Sequence, residues 1–140
     1  MTTTDNNLQA QNLQDGRFQK GVEMFTQVYA GALQAPPEGQ DAFFDVMLKH
    51  LFGEVWAREA LSIRDRRLLL MGAIAALGEK DIFAIQVGAA LQNEELTADQ
   101  IREIIIHLAP YVGYPRVGGM RISAETAIAN VEKQKAQANK

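Results

Sequence analysis

Cysteine is absent from the 140 residues of the chain. Without a thiol the protein cannot form a disulfide bond, a thiolate metal site or a cysteine nucleophile, so thiol-dependent peroxidase and disulfide-exchange chemistry is excluded. The chain also lacks a dense run of basic residues, with 14 lysines and arginines against 17 acidic residues and a net charge of -3. Nucleic acid is therefore not an expected partner, because phosphate recognition depends on clustered positive charge.

Long apolar runs are missing as well, since no stretch reaches the roughly 18 residues that suggest a membrane-spanning helix. The first residues, MTTTDNNLQAQNLQD, lack the cationic start and the apolar segment of a signal peptide. We therefore expect a soluble, cytoplasmic protein without a membrane partner. The length fits one domain, which we place at residues 17–132, between a flexible N-terminal arm at 1–16 and a frayed C-terminal tail at 133–140.

Apolar residues recur at spacings of three and four, and no segment shows the alternation of a strand, which predicts an all-α bundle of about six helices. The expected helices cover about residues 17–33, 40–52, 62–77, 81–91, 97–108 and 116–129. Two of them should begin at the N-caps Ser62, in SIRD, and Thr97, in TADQ. The body of the third helix, LLLMGAIAAL, has no polar face, so it should be enclosed on all sides by oligomerisation or by a central position.

The spacings of three and four also predict which side chains are buried. Helix two should bury Phe43 and Leu51 among others, and helix four should turn Ile82 and Ile85 inward with Gln86 among them.

The two histidines are the first candidates for chemistry. His50 and Glu54 are four residues apart and would meet on one helical face, where the carboxylate could orient the imidazole or simply neutralise an interface histidine. His107 could line a cleft or cap a subunit contact. Two histidines and one carboxylate could in principle hold a metal, but so small an inventory arises easily by chance, and we expect no metal. Tyr111 and Tyr114 should be packed rather than catalytic.

Two motifs carry a family resemblance. They are KHLFGEVWAREAL at residues 49–61 and APYVGYP at residues 109–115. Together they resemble the carboxymuconolactone decarboxylase family of the alkylhydroperoxidase D-like superfamily, over roughly residues 44–125. The matching positions are His50, Phe52, Gly53, Glu54, Val55, Trp56, Arg58, Leu61, Arg66, Ala90, Asn93, Thr97, Ile101, Glu103, Ala109, Tyr111, Gly113 and Pro115.

The resemblance implies a small all-helical homo-oligomer, a trimer or a hexamer, that decarboxylates a small carboxylated lactone in aromatic-compound catabolism without a cofactor. His50 would donate the proton and Glu54 would orient it. Arg58 and Arg66 would bind a carboxylate of the substrate. Gln86 would bind the lactone oxygen, and Trp56 would also bind the substrate. We expect His50, Glu54, Arg58 and Gln86 to line one cleft.

Gln86 departs from the family, which usually has a histidine at that position, and a glutamine cannot shuttle a proton. The family's Asn-Asn-Gly is also replaced by Gln92-Asn93-Glu94. The redox residues of the alkylhydroperoxidase branch, Cys-x-x-Cys-x-x-x-His, are replaced by Glu79, Ile82 and Gln86. Two alternatives therefore stand beside decarboxylation. One is a non-enzymatic member that binds a small acid or serves as a scaffold, and the other is an isomerase or hydrolase of a related lactone or oxo-acid.

Overall fold

The computed structural model describes the backbone of residues 3–140 and the side chains from residue 16 onward. This part of the chain contains six α-helices and no strand, so the predicted all-α fold is confirmed. The elements are α1 (Thr3–Val28), α2 (Ala42–Val46), a π-helix (Met47–Trp56) that continues α2, α3 (Ile63–Leu77), α4 (Lys80–Gln92), α5 (Ala98–Val112) and α6 (Tyr114–Ala138). None of these described helices combines the length and apolar character that crossing a bilayer requires.

The chain forms two compact units, Met1–Leu61 and Ser62–Lys140. The first contains α1, α2 and the π-helix, and the second contains α3 to α6. The predicted single domain at 17–132 stays a prediction. Helix α1 begins before residue 17 and α6 continues to Ala138, so both predicted termini overlap helices. The flexibility of the arm at 1–16 stays a prediction, because its side chains up to residue 15 lie outside the described residues.

In the first unit, α1 packs on the π-helix through two glycines. A Cβ atom at Gly21 would lie 1.9 Å from the carbonyl oxygen of Leu48, and one at Gly53 would lie 2.8 Å from the carbonyl oxygen of Arg17. Only glycine permits backbones to approach this closely. The contact buries Phe25 and Phe52, whose ring centroids are 5.1 Å apart in an edge-to-face arrangement.

We expect Gly21→Ala to destabilise the protein by at least about 2 kcal/mol, because the added methyl group meets backbone that cannot rotate away. Gly16→Ala is the matched control in the same helix, since a Cβ atom there has nothing within 4 Å. It should be neutral or stabilising, because alanine favours a helix over glycine by roughly 0.5–1 kcal/mol. Urea unfolding of the two variants measures this, and equal stabilities would contradict the close approach of the two helices.

Helix α1 ends at Val28, about five residues before the predicted end. The stop is a left-handed C-terminal cap in which Ala30 and Gly31 have φ values of 55° and 74°. Their amides donate to the carbonyl oxygens of Gln27 (3.3 Å) and Thr26 (2.9 Å). This backbone cap ends the helix several residues before Pro36 and Pro37.

The second predicted helix continues past Phe52 to Trp56 as a π-helix. Its wider turn places Leu48, Phe52 and Trp56, four residues apart, on the buried side. The prediction that Phe43 and Leu51 are buried is wrong, since Phe43 is 73% exposed and Leu51 is 37% exposed. That prediction assumed α-helical spacing throughout, and the wider turn rotates Leu51 away from the core.

The second unit has a core made by one face of each of its four helices. The buried residues of this core are Met71, Ile74, Ala75, Phe83, Val87, Ala90, Leu91, Leu96, Ile101, Ile105, Ala109, Val117, Met120, Ala124, Ile128 and Val131. The two predicted N-caps are confirmed. Ser62 Oγ accepts from the Asp65 amide at 3.0 Å, and Thr97 forms a reciprocal capping box with Gln100.

The burial predicted for four residues of this unit is wrong. Helix α4 turns Phe83, Val87 and Ala90 inward, whereas Ile82 and Ile85 are exposed. Both sets have helical spacing, so the pattern alone does not decide between the two faces. Tyr111 and Tyr114 are exposed rather than packed.

Helix α3 is enclosed on one side only. Met71, Ile74 and Ala75 are buried, but Leu69 is 66% exposed and Leu77 is 74% exposed. A single chain thus leaves an apolar face uncovered, and the predicted enclosure on all sides is not achieved within it.

Helix α4 ends in a cap that positions the following loop. Glu94 has a φ of 56°, and the amide of Glu95 donates to the carbonyl oxygen of Ala90 at 2.9 Å. A left-handed conformation costs a non-glycine residue roughly 1–2 kcal/mol. Glu94 replaces the glycine of the Asn-Asn-Gly segment described above. The cap is therefore kept here with a residue for which the left-handed conformation is unfavourable.

Candidate functional site

His50 and Glu54 lie on the same side of the π-helix and are hydrogen-bonded. Imidazole Nδ1 is 3.0 Å from carboxylate Oε2. The predicted pairing is therefore confirmed. It exists because the helix continues through Gly53, which is buried against α1 and keeps the two turns together.

A second partner holds the other oxygen of Glu54. Arg17 Nη2 lies 3.1 Å from Oε1. The hydrogen bond from His50, and then the positive charge of Arg17, lower the pKa of Glu54 below its ordinary value. Glu54 is consequently a carboxylate at neutral pH and can only accept hydrogen bonds.

The ionised Glu54 decides which nitrogen of His50 can exchange a proton. Because the carboxylate only accepts, Nδ1 carries hydrogen in both the neutral and the protonated ring. Nε2 is then the nitrogen that gains or loses a proton. The His50 side chain is 67% exposed, so Nε2 is accessible to a ligand in the described chain.

A hollow of about 490 Å³ lies beside Glu54 in the first unit, and His50 is not among the residues that line it. Glu54 and the predicted carboxylate-binding residue Arg58 both line it, together with Lys20 and Glu59. Sequence reasoning did not single out Lys20, because a lysine on a surface helix carries no local signal of function. Trp56 is buried and stacks on Phe52 with a centroid distance of 6.2 Å, so it supports the site from the core side.

The predicted residues Arg66 and Gln86 belong to the second unit, and their roles in binding substrate stay predictions. Gln86 is fully enclosed, and its Oε1 accepts a hydrogen bond of 2.7 Å from Arg67 Nη1. Arg67 also binds Glu95 through both carboxylate oxygens, at 3.2 Å from Nε and 2.9 Å from Nη2. The shared cleft of His50 and Gln86 stays a prediction.

Arg67 is the residue that sequence reasoning missed. It is 0% exposed, although charged side chains are rarely fully buried. Helical spacing could have found it, since Arg67 precedes Met71 by four residues and Ile74 by seven and therefore falls on the buried stripe of α3. The family resemblance directed attention to its neighbour Arg66 instead.

His107 lines a separate cleft of about 430 Å³ within the second unit. The walls are apolar and include Leu68 and Leu108, and Arg64 and Glu103 also line the cleft. His107 therefore lines a cleft within the single chain, and its predicted role in a subunit contact stays a prediction. The part of the chain that the structure describes contains no group of three or more side chains suited to a metal ion.

Comparison with known proteins identifies the family of the chain. The sequence model of the carboxymuconolactone decarboxylase family matches residues 41–125, a range that includes His50, Glu54, Arg58 and Gln86. A 4-carboxymuconolactone decarboxylase from Acinetobacter baylyi (strain ATCC 33305 / BD413 / ADP1) is 28% identical over 104 residues, covering 71% of this chain and 77% of that protein. Because the family match covers more than half of the sequence, the chain belongs to the carboxymuconolactone decarboxylase family.

Proposed function

We propose that the protein is a cofactor-independent decarboxylase of a small carboxylated lactone. The observation that carries the proposal is the hydrogen bond between His50 and an ionised Glu54, with Nε2 of His50 left for proton transfer. Family membership and the activity for which the Acinetobacter relative is named support the same reaction.

The reaction needs an electron acceptor and a proton donor. When the bond between the ring carbon and the carboxylate breaks, carbon dioxide leaves, and the electron pair passes into the conjugated carbonyl of the lactone as a dienolate. The substrate is thus its own electron sink. A proton is then delivered to a carbon atom of the dienolate. One carbon dioxide is formed for each lactone consumed.

His50 is the proposed proton donor through Nε2. Glu54 holds the ring through Nδ1, which leaves Nε2 as the nitrogen that donates. Arg58 and Arg66 are the proposed carboxylate-binding residues, and fixed cations of this kind also stabilise negative charge that develops in the transition state.

Gln86 is proposed to bind the lactone oxygen. An arginine only donates hydrogen bonds, so the carboxamide oxygen of Gln86 must face Arg67. The amide hydrogens then point away from Arg67, and in the proposed complex they would donate to the lactone oxygen. Trp56 is proposed to contribute an apolar wall.

The experiment is turnover of the purified protein on 4-carboxymuconolactone, with carbon dioxide and lactone measured in the same sample. The proposal expects one carbon dioxide for each lactone consumed, with no added cofactor. Lactone loss without carbon dioxide would favour the isomerase or hydrolase alternative. Intact lactone would favour a non-enzymatic member of the family that binds a small acid.

Self-association is part of the proposal. Leu69 and Leu77 leave an apolar face on α3 that a second copy of the chain would cover. We expect a homo-oligomer, a trimer or a hexamer, in the cytoplasm. Light scattering at micromolar concentration should give a mass of about three or six times 15.5 kDa. A mass of one chain would contradict this, and Leu77→Glu should shift the mass downward if α3 forms the contact.

A further inference from the structure

Lys20 is a charged group near the candidate site that the proposed reaction does not use. It lines the hollow that also contains Glu54 and Arg58. Two cations of this unit form ion pairs: Arg17 binds Glu54, and Lys49 binds Glu38 at 2.8 Å. Lys20 forms no ion pair with any residue whose side chain the structure describes.

The position of Lys20 follows from helix packing. Its neighbour Gly21 lies against the carbonyl oxygen of Leu48, so α1 cannot rotate or withdraw there without losing the contact. Arg17 is three residues earlier on the same helical face and already reaches Glu54. The backbone of Lys20 is consequently fixed beside the hollow, within reach of its side chain.

The charges around the hollow are suited to two carboxylates. Lys20 and Arg58 are cationic and come from different segments of the chain, α1 and the residues after the π-helix. Glu54 is compensated by Arg17, but Glu59 also lines the hollow and would repel an anion that lacked a cationic partner. A volume of about 490 Å³ accommodates a single small ring.

We propose that Lys20 binds one carboxylate of the ligand while Arg58 binds the other, so that the hollow selects small cyclic dicarboxylates over monocarboxylates. The inference rests on the proposed function and deepens it, because it adds a specificity-determining residue to the site. Arginine suits planar binding of a carboxylate by two hydrogen bonds, and lysine acts as a point charge.

The test is calorimetric binding of two probes that do not react, phthalate with two carboxylates and benzoate with one, at low ionic strength. The wild type should bind phthalate about fivefold more tightly than benzoate, which is the upper range for one exposed ion pair. Lys20→Met should remove this preference and leave benzoate binding unchanged. Lys20→Arg should retain the preference. Lys133→Met, which removes one exposed lysine from α6, controls for net charge and should behave as the wild type.

Equal affinity of the wild type for the two probes, binding of neither, or an unchanged preference in Lys20→Met would overturn the inference. These outcomes are separable from failure of the proposed function. Loss of the preference in Lys20→Met, in a protein that releases no carbon dioxide from the lactone, would support the dicarboxylate site and reject the reaction. Carbon dioxide release together with an unchanged preference would support the reaction and reject the role of Lys20.

Discussion

His50→Ala should lower kcat on the lactone by about a hundredfold or more, because a positioned general acid typically contributes that much to a proton transfer. Its side chain is exposed and its contact with Glu54 lies at the surface, so the folded structure should survive the change. His107→Ala is the matched control, since it removes the other histidine of the chain from a different cleft. It should leave kcat and KM unchanged.

Gln86→Ala should behave differently from His50→Ala. Removing one neutral hydrogen bond to substrate costs roughly 0.5–1.5 kcal/mol and should mainly raise KM. The variant also leaves Arg67 without the acceptor that it now has at 2.7 Å, so its stability must be measured alongside its kinetics. Equal small losses in the two alanine variants would mean that neither residue transfers a proton.

Glu54→Gln separates orientation from proton donation. The substituted side chain keeps its size, but its amide group both donates and accepts, so it no longer fixes which nitrogen of His50 carries hydrogen. We expect about a tenfold loss in kcat, a smaller loss than that of His50→Ala. Because the pKa of Glu54 is lowered in the wild type, Glu54 stays ionised throughout the neutral range, and its own titration should not shape the rate profile there.

Arg67→Ala should destabilise the protein by about 3–5 kcal/mol, the usual cost of removing one partner of a buried ion pair. Arg67 is fully enclosed, and the side chain of Glu95 is only 9% exposed, so the carboxylate would be left without its cation. A stability of 5–15 kcal/mol is typical of a domain, and the loss would be a large part of it. Urea unfolding at fixed protein concentration measures the effect, because association also changes stability.

Two further variants make the result interpretable. Arg102→Ala removes an arginine that binds Glu125 and Asp99 at the surface of the same unit, and it should have much less effect. Replacing Arg67 by methionine and Glu95 by leucine together should recover most of the stability, since no buried charge remains unpaired. A loss below about 1 kcal/mol in Arg67→Ala would show that Glu95 does not depend on Arg67 for its compensation.

Local patterns predicted the features that depend on neighbours in sequence. The caps at Ser62 and Thr97 follow from side chains that reach backbone three residues away. The pair of His50 and Glu54 follows from a spacing of four, which brings side chains together in an α-helix and also in the wider π-helix observed here.

Features that depend on distant residues could not be predicted in the same way. The π-helix meets α1 at Gly21, far away in sequence, and residues 47–56 contain no signal of the wider turn. Helical spacing places Arg67 on the buried stripe of α3, but that spacing does not identify its partners, Glu95, 28 residues later, and Gln86, 19 residues later. The inward face of α4 is chosen by the helices packed on it, so Ile82 and Phe83 could not be distinguished by spacing alone.

The central claim is that this chain decarboxylates a carboxylated lactone with His50 as the proton donor. Its most direct test is the rate of carbon dioxide release from 4-carboxymuconolactone by the wild type and by His50→Ala in one assay. We expect the wild type to release carbon dioxide with no added cofactor, and the variant to release it about a hundredfold or more slowly. No release by the wild type, or equal rates in the two proteins, would contradict it.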